Sequence, residues 1–294
     1  MTIDEAAQII QSGGVVAFPT ETVYGLGANA LDPKAILRIY ALKQRPSTSP
    51  LIVHVDCIEM AQALAADWPL AAEGLARRYW PGPLTIVVKK GPMIPDEATA
   101  GLDTVGLRMP NHPLALALIR ACGCPLAAPS ANPFTRLSPT TAAHVREAFG
   151  DQVPLLDGGP TQVGIESTVV SVVDGGITVL RPGMITIPGA GTELAPTGDA
   201  HTAPGQHHKH YSPRTRLLLL DRNAPIPEGA AYVWYRTAKP AAQSVQLPDN
   251  EAGYAAALYR TLHELDSLSF PLIAIEEVPK EWQAVADRLR RAAF

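Results

Sequence analysis

The chain has 294 residues, of which 47% are hydrophobic and 18% charged, and its formal net charge is −4. This composition excludes an intrinsically disordered chain, and the small acidic excess argues against a surface that coats nucleic acid. The length suggests two domains, at about 150 residues per domain. Three cysteines form no disulfide framework, no apolar run approaches 18 residues, and the N-terminus does not read as a signal peptide. We therefore expect a cytoplasmic protein without a membrane partner.

Residues 1–187 alternate between predicted helices and strands. A capping-box pattern at residues 2–5 predicts a short helix over residues 4–12, and Asp32 followed by Pro33 predicts a second helix that runs to about Leu42. The remaining predicted elements are strands at 51–55, 84–90, 105–109, 167–173 and 177–181, and helices at 112–121 and 140–149. The last two strands flank Asp174-Gly175-Gly176, which predicts a hairpin. Together they predict an α/β domain with a mixed, partly antiparallel sheet.

The stretch VVAFPTETVYGLGANA (15–30) begins as a buried strand and then changes character. Polar side chains follow over residues 20–24, and we expect Gly25 and Gly27 to let the backbone turn tightly beside a ligand pocket. The glycines formally fit G-x-G-x-x-A, but the polar loop separates them from the strand, which argues against a dinucleotide fingerprint. The sequence has no G-x-x-x-x-G-K-[ST], so a bound ATP would not be held by a Walker loop.

Residues 188–214 have the composition of a linker. They are rich in glycine and proline and show no hydrophobic periodicity. The predicted elements that follow are strands at 215–220, 230–235 and 271–277 and helices at 254–265 and 281–291. They form a small, Rossmann-like α/β domain over residues 215–294. Because it is about half the size of a typical domain, we expect it to pack against the first domain.

The linker ends in HHKHY (207–211), which is denser in polar groups than a spacer requires. The imidazoles of His207, His208 and His210 could ligate a metal. However, no carboxylate or cysteine lies nearby, so a basic or aromatic contact is the favoured interpretation. Cys122 and Cys124 have no partner pair, which argues against a zinc site there. We therefore assign no metal ligand to the protein.

Four polar loops of the first domain follow strand or helix ends, at residues 20–24, 43–51, 128–140 and 164–170. Taken alone, each has an ordinary structural interpretation. Lys43 and Arg45 could complement a helix dipole, and Ser130 and Asn132 could be turn residues. His54 could be a core histidine. Their concentration at strand ends of one domain instead indicates a binding site, where cations and hydroxyls would hold a polyphosphate and an amino-acid headgroup.

The same segments resemble the threonylcarbamoyl-AMP synthases, the YrdC-like family of tRNA modification. In chain order, the matching segments are GGVVAFPTETVYGLGANA, the K-x-R of residues 43–45 with PLIVHV, WPGPLTIVV, VGLRMPNHP, APSANPFTRLSPT, GIESTVV and LRPG. APGQHHKHYSP resembles the linker of the longer, two-domain form of the family. The resemblance implies a YrdC-like twisted mixed sheet with helices, followed by the linker and the small second domain.

The resemblance implies the activity of an L-threonylcarbamoyladenylate synthase, a nucleotidyltransferase. Such an enzyme converts L-threonine, bicarbonate (or carbon dioxide) and ATP into threonylcarbamoyl-AMP and pyrophosphate, and Mg²⁺ is expected with the ATP. A separate tRNA threonylcarbamoyl transferase complex then uses the product to modify the adenosine beside the anticodon. The enzyme needs no covalent nucleophile, because catalysis consists of positioning the reactants and neutralising phosphate charge.

The resemblance also implies a role for individual residues. The catalytic residues would be Lys43, Arg45, Ser130 and Asn132. The residues that bind threonine would be Thr22, His54, Arg108, Ala128 and Ser167. The residues that contact ATP would be Arg45, Ser49, Thr104, Ser130, Ser138, Arg181 and Tyr211. The linker is expected to close over the bound substrates as a lid.

Two other functions stay open on the sequence. One is adenylation that depends on carbamoyl phosphate, as in a related domain of hydrogenase-maturation proteins, although the zinc-finger and acylphosphatase segments of those proteins do not occur in this sequence. The other is an RNA-binding module. Against it, residues 1–187 contain 13 lysines and arginines and 16 acidic residues, with the cations concentrated in the motif loops. Direct binding of tRNA is left open.

Overall fold

The computed structural model describes residues 1–192 and 210–293. The helices are α1 (Ile3–Gln11), α2 (Pro33–Lys43), α3 (Ile58–Leu64), α4 (Leu70–Tyr79), α5 (Asp96–Thr99), α6 (Pro113–Cys122), α7 (Ala142–Phe149), α8 (Glu251–Ser267) and α9 (Gln283–Ala292). The strands are β1 (Val16–Phe18), β2 (Gly25–Asn29), β3 (Ile52–His54), β4 (Leu84–Lys89), β5 (Thr104–Arg108), β6 (Leu126–Ala127), β7 (Thr168–Ser171), β8 (Thr178–Arg181), β9 (Gly191–Thr192), β10 (Leu217–Leu220), β11 (Ala231–Trp234), β12 (Gln243–Gln246) and β13 (Ile273–Glu276). Within these residues, none of the helices has both the length and the apolar character that a membrane crossing needs.

The first domain is built on a mixed sheet with the strand order β1-β2-β6-β3-β5-β4-β7-β8-β9. The pairs β3–β5, β4–β7 and β8–β9 are parallel, and the other neighbouring pairs are antiparallel. One apolar cluster packs α2, α4 and α7 against one face of the sheet, and a second cluster packs α1 and α6 beside β1 and β6. The mixed α/β architecture is therefore confirmed.

The register of the strands brings polar residues to one edge of this sheet. In the parallel pair β3–β5, His54 lies opposite Arg108, so both residues stand at carboxyl ends. On the other side of β4, strand β7 begins at Thr168, and the antiparallel strand β8 ends with Arg181 opposite Val169. Ligand sites of α/β sheets lie at such an edge, outside the carboxyl ends of the strands.

Local signals in the sequence predicted most helix starts and one hairpin. Thr2 caps α1: its hydroxyl accepts from the backbone N–H of Glu5 at 3.2 Å, and the Glu5 carboxylate accepts from the backbone N–H of Thr2 at 2.7 Å. Asp32 caps α2 by a single bond, since its carboxylate accepts from the backbone N–H of Lys34 at 2.9 Å, and Pro33 lies in the first turn. The predicted hairpin of β7 and β8 is also confirmed.

The prediction that Gly25 and Gly27 form a tight turn is wrong. Both glycines lie in β2, which pairs antiparallel with β1, and neither has a positive φ. A Cβ atom on Gly27 would stand 2.6 Å from Cε1 of Phe18. The position requires glycine because the Phe18 ring of the neighbouring strand covers it, not because the chain turns there.

The second domain has a parallel sheet with the strand order β10-β13-β11-β12, which confirms the predicted Rossmann-like α/β character. At the carboxyl edge of this sheet, the buried Glu276 carboxylate accepts the backbone N–H groups of Tyr235, Arg236 and Thr237 at 3.0, 3.0 and 3.1 Å. Consecutive N–H groups at such an edge are a common anion site. Here the protein's own carboxylate occupies that position.

The two domains share an apolar cluster, which confirms that they pack together. Val23, Leu137 and Ile165 of the first domain pack with α8 and α9 of the second. The first sheet extends to β9, four residues beyond the sequence-based boundary at Ile187. The division into residues 1–187, 188–214 and 215–294 otherwise stays a prediction, because residues 193–209, including His207 and His208, lie outside the described residues.

Two histidines stack across the domain interface. The rings of His144 on α7 and His263 on α8 have centroids 3.8 Å apart and planes inclined by 17°. Burial, then the adjacent His263 and Arg260, lowers the pKa of His144 to about 4. Burial also lowers the pKa of His263, despite the nearby carboxylates of Glu147 and Asp266. Both rings are therefore neutral at neutral pH.

We predict that acid weakens the folded state through this pair. In the unfolded chain the His144 imidazole binds a proton near pH 6.5, whereas in the folded chain it does so only near pH 4. The free energy of unfolding therefore decreases as the pH falls through that window. The His144→Phe/His263→Phe variant keeps two stacked rings without ionisable nitrogens. Between pH 7 and pH 5 its Tm should fall by at least about 2 °C less than that of the wild type. Equal falls in both proteins would contradict the assignment.

Candidate active site

A cavity opens at the polar edge of the first sheet, under residues 210–211. Its polar lining consists of Thr20, Thr22, Arg45, His54, Arg108, Ser130, Glu166, Ser167, Arg181, His210 and Tyr211. Strands β3, β5 and β8 and the polar loops of the first domain contribute these groups. The convergence of several polar groups in a concave space is typical of a small-molecule site.

Arg108 ends β5 and is held on its buried side by two polar residues. Its Nη2 lies 2.8 Å from Oε2 of Glu21 and donates to the Thr22 hydroxyl at 2.9 Å. The Thr22 hydroxyl also lies 2.9 Å from the hydroxyl of Thr20. A guanidinium fixed in this way at the wall of a cavity is suited to bind a carboxylate.

Arg45 is buried two residues beyond the end of α2, where Gln44 takes the left-handed conformation that ends the helix. Its Nη2 donates to the hydroxyl of Ser49 at 2.6 Å and to the carbonyl oxygen of Pro50 at 3.0 Å. Burial is the main cause that lowers the pKa of Arg45 to about 10. The guanidinium is still protonated at neutral pH and keeps its full charge beside the cavity.

Lys43, the last residue of α2, lies behind the cavity rather than in its lining. It is 1% exposed, and its Nζ donates to the backbone carbonyl oxygens of Ser130 and Asn132. Burial, followed by the neighbouring Arg45, holds its pKa well below the usual value. Lys43 therefore fixes the loop that presents Ser130 to the cavity.

Arg181 ends β8 and is bonded to the loop before β7. Its Nε and Nη2 donate to the carbonyl oxygen of Ser167 at 3.1 and 2.9 Å, and Nη2 also donates to the Ser167 hydroxyl at 3.1 Å. That hydroxyl lies 2.8 Å from the hydroxyl of Thr85 on β4. These contacts fix both Ser167 and Arg181 at the cavity wall.

His54 at the end of β3 is a neutral group of the cavity. Burial, then the charge of Arg108, lowers its pKa to about 3, so the ring carries no charge at neutral pH. Its edge contact with Phe18 has ring centroids 6.0 Å apart. Its Nδ1 is buried without a hydrogen-bond partner among the described residues, which leaves this nitrogen for a ligand.

His210 and Tyr211 bring the end of the linker against the cavity. The His210 ring packs edge-on against Phe134, with centroids 6.0 Å apart, which is an aromatic contact of the kind favoured by the sequence. Burial, then the charges of Arg45 and Lys43, holds the pKa of His210 well below its usual value, so this ring is neutral as well. Tyr211 is fully buried and has a φ of 60°, a conformation that non-glycine residues rarely take.

Nine of the residues predicted from the sequence line this cavity: Thr22, Arg45, His54, Arg108, Ala128, Ser130, Ser167, Arg181 and Tyr211. Lys43, Ser49, Asn132 and Ser138 are buried but are not among its lining residues. Thr104 begins β5, whereas Arg108 ends it, and four steps along a strand span about 13 Å. Thr104 is therefore not part of this cavity.

Several polar residues at or behind the cavity were not predicted to belong to the site, among them Glu21, Glu166, His210, Tyr259 and Arg288. Glu21 pairs with Arg108, and Glu166 lines the cavity while pairing with Arg288 at 2.7 Å. Both carboxylates lie in the polar loops that the sequence singled out. Tyr259 and Arg288 carry no local signal, because their contacts with Glu166 span 93 and 122 positions of the chain.

The fold and the cavity define a YrdC-like domain with an arginine-lined pocket at its sheet edge and a small α/β domain packed against it. The sequence matches the Sua5/YciO/YrdC family, described as "Telomere recombination", over residues 8–183, and the family "Threonylcarbamoyl-AMP synthase, C-terminal domain" over residues 169–294. The chain therefore belongs to the threonylcarbamoyl-AMP synthase family, in its two-domain form.

Individual relatives agree with this membership. The chain is 43% identical over 227 residues to threonylcarbamoyl-AMP synthase of Pyrococcus abyssi and 44% identical over 230 residues to that of Bacillus subtilis. Each match covers 74% of this chain and about two thirds of the relative, 67% and 66%. The crystal structure of P. abyssi Sua5 complexed with L-threonine superposes with a TM-score of 0.93 at 37% identity, over 99% of this chain and 94% of that one.

The wall at Ser167 generates a prediction about Gly183. A Cβ atom on Gly183 would stand 2.3 Å from the backbone nitrogen of Thr168 and 2.7 Å from the carbonyl carbon of Ser167. Gly183→Ala should therefore lower the free energy of unfolding by about 1–3 kcal/mol, because backbone must move. The control is Gly176→Ala, where a Cβ atom meets nothing within 4 Å, and its effect should stay within about 0.5 kcal/mol. Urea unfolding measures both, and equal effects would contradict the prediction.

Proposed function

We propose that this chain condenses L-threonine, bicarbonate or carbon dioxide, and ATP into threonylcarbamoyl-AMP, with release of pyrophosphate. The observation that carries the proposal is that two groups of residues, each built around arginine, line one cavity. The first group is Arg108 with Thr22 and His54, and the second is Arg45 with Arg181 and Tyr211. The first group suits an amino acid and the second a polyphosphate. Membership of the synthase family supports the same assignment.

Threonine would bind at the end of the cavity formed by Arg108. The guanidinium would grip the substrate carboxylate, while Thr22 holds the guanidinium in place at 2.9 Å. His54, neutral and with Nδ1 unpartnered among the described residues, would take part in a hydrogen bond without repelling an ammonium group. Ser167 and the backbone of Ala128 would complete this part of the wall.

ATP would bind at the end formed by Arg45 and Arg181, with Ser130 and Tyr211 beside it. The substrate amine first takes up carbon dioxide to form a carbamate. A carbamate oxygen then attacks the α-phosphorus, the bond between the α-phosphorus and the bridging oxygen breaks, and pyrophosphate leaves with the electron pair. The arginines would neutralise charge on the α-phosphate and the leaving group, and the fixed loop of Lys43 and Ser130 would orient them.

Mg²⁺ would reach this site with ATP. The donor set fits an ion that is bound through phosphate oxygens and water, because the nearby carboxylates, Glu21 and Glu166, are both paired with arginines. Across residues 1–192 and 210–293, no group of three or more His, Cys, Asp or Glu side chains could hold a metal ion. When bound, the ion would withdraw charge from the phosphate oxygens.

The product would serve a tRNA threonylcarbamoyl transferase complex. A mixed anhydride of a carbamate and AMP is hydrolysed by water, so a cavity closed by Tyr211 would protect it until it leaves. Direct contact of this chain with tRNA is not part of the proposal.

The proposal is tested by measuring pyrophosphate release with ATP, Mg²⁺, bicarbonate and threonine, and then with each substrate omitted. Release should require threonine and bicarbonate together, and it should fall at least a hundredfold in Arg45→Ala and Lys43→Ala, as expected when a charge-stabilising or orienting group is lost. Release without threonine, or with carbamoyl phosphate in place of bicarbonate, would favour the rival adenylation. Retention of RNA without any turnover would favour the binding module.

A second prediction separates the two ends of the cavity. Thr22→Val keeps the shape of the side chain but removes the hydroxyl that accepts a hydrogen bond from Arg108. Loss of a hydrogen bond to a charged group costs about 1.5–3 kcal/mol. The KM for threonine should therefore rise about tenfold or more, while the KM for ATP changes less than about threefold. Thr178→Val, on β8 and outside the cavity lining, is the matched control and should leave both constants unchanged. Equal rises in both KM values would remove Thr22 from the threonine site.

A further inference from the structure

Arg288 of the second domain reaches the wall of the cavity in the first. It is 1% exposed, and its Nε donates to Oε2 of Glu166 at 2.7 Å. Its Nη2 donates to the carbonyl oxygen of Pro182 at 3.1 Å, and its Nη1 pairs with Asp287 at 2.7 Å. The Arg288 side chain thus bonds both to Glu166, in the loop before β7, and to Pro182, which directly follows Arg181.

The carboxylate of Glu166 lines the cavity and accepts hydrogen bonds from both domains. The hydroxyl of Ser138 donates to its Oε1 at 2.6 Å, from the first domain. The hydroxyl of Tyr259 and the Nε of Arg288 donate to its Oε2 at 3.1 and 2.7 Å, from the second domain. The second domain therefore both orients this carboxylate and balances its charge.

Tyr211 depends on the same group of side chains. Cζ of Arg288 lies 5.0 Å from the centroid of the Tyr211 ring, and the Tyr259 ring stacks on the same tyrosine with centroids 5.9 Å apart. The left-handed backbone of Tyr211 is strained and persists only where the surroundings impose it. Arg288 and Tyr259 supply those surroundings.

The charge of Glu166 matters because of what the cavity has to bind. Arg45 and Arg181 share the lining with it. Burial is the main cause that raises the pKa of Tyr211 and lowers the pKa of Arg181, and the charges of Glu166 and Arg288 also act on both groups. A lone carboxylate at this wall would repel a triphosphate and attract the arginines that should bind it. Arg288, which lies outside the lining, neutralises the Glu166 carboxylate. The positive field of Arg45 and Arg181 therefore stays available to a ligand.

A buried ion pair is weak evidence for stability, since well-packed apolar residues often replace one at no cost. The interface also has other contacts, such as the exposed pair of Arg214 with Glu147 at 2.8 Å. Holding the two domains together therefore does not explain why a fully buried arginine stands at the cavity. In the second domain, the Glu276 carboxylate already occupies the backbone N–H groups that could bind an anion. If the second domain contributes to ligand binding, we expect it to do so through the cavity of the first domain.

We propose that Arg288 is a positioning residue for the reaction: it neutralises Glu166 and seats Tyr211, and by both effects it shapes the ATP end of the cavity. This inference rests on the proposed function. It assigns the small second domain a defined contribution to catalysis. It also predicts that the effect of Arg288 on ATP is distinct from any effect on threonine.

The test is a double-mutant cycle read out by binding rather than by turnover. Calorimetry would measure the affinities for L-threonine and, with threonine saturating and Mg²⁺ present, for a non-hydrolysable ATP analogue. The variants are Arg288→Met, Glu166→Gln and the two combined. Arg288→Met should weaken the analogue at least tenfold and threonine less than threefold. The combined variant should bind the analogue more tightly than Arg288→Met, because the unpaired charge is gone, and more weakly than Glu166→Gln, because the guanidinium over the Tyr211 ring is missing.

Further variants keep the test decisive. Arg288→Lys should recover part of the analogue affinity, since it restores the charge without the planar guanidinium. Arg214→Gln, which breaks an exposed pair of the same interface, should leave both affinities unchanged. If Arg288→Met fails to fold, the combined variant, which buries no unpaired charge, carries the comparison with Glu166→Gln.

Several outcomes would overturn the proposal. Unchanged affinities in Arg288→Met would exclude a positioning role. Equal weakening of both ligands together with a lower Tm would indicate a structural role only, as would a combined variant no better than Arg288→Met. If the wild type binds neither threonine nor the ATP analogue, the proposed function itself fails, which is a different result from a wild type that binds both and an Arg288→Met variant that does the same.

Discussion

The cavity depends on holding several buried cations together without cancelling their charge. Arg45 donates to the carbonyl oxygen of Pro50, and Arg181 donates to the carbonyl oxygen of Ser167. Lys43 donates to the carbonyl oxygens of the loop at Ser130. Backbone carbonyls satisfy the N–H groups and fix their direction, but they carry only partial charge. The positive field therefore remains available to a polyanion, at a desolvation cost that appears in the lowered pKa values of Lys43 and Arg45.

Carboxylates enter this arrangement only where an arginine faces each of them. Glu21 lies behind Arg108, where one counter-charge leaves the other N–H groups of the guanidinium for a substrate carboxylate. Glu166 lies at the wall and is balanced by Arg288 from the second domain. The histidines contribute no charge, because burial keeps His54 and His210 neutral. The positive charge of the cavity lining therefore comes from arginines and not from histidines.

The sequence was sufficient for features that neighbouring residues determine. The caps at Thr2 and Asp32 and the hairpin before Arg181 depend on contacts a few positions apart, and all three were predicted. The prediction for Gly27 was wrong, because the Phe18 ring on the adjacent strand is what requires glycine there. A local sequence pattern does not show such a contact. Most of the cavity residues came from motif resemblance, whereas Arg288 sits in an ordinary helical pattern, and only the packing of α9 brings it to Glu166.

The second domain shows how a side chain of the protein can fill an anion position at the edge of a parallel sheet. Its parallel sheet still presents three N–H groups at the carboxyl edge, but the side chain of Glu276 accepts all of them. That internal bond satisfies the donors and removes the site for an external anion. The domain's polar surface is used instead at the interface, where Tyr259 and Arg288 complete the wall of the other domain's cavity. A small domain that could not bury a large core alone is stabilised by the apolar cluster of the same interface through which, in our proposal, it shapes the site.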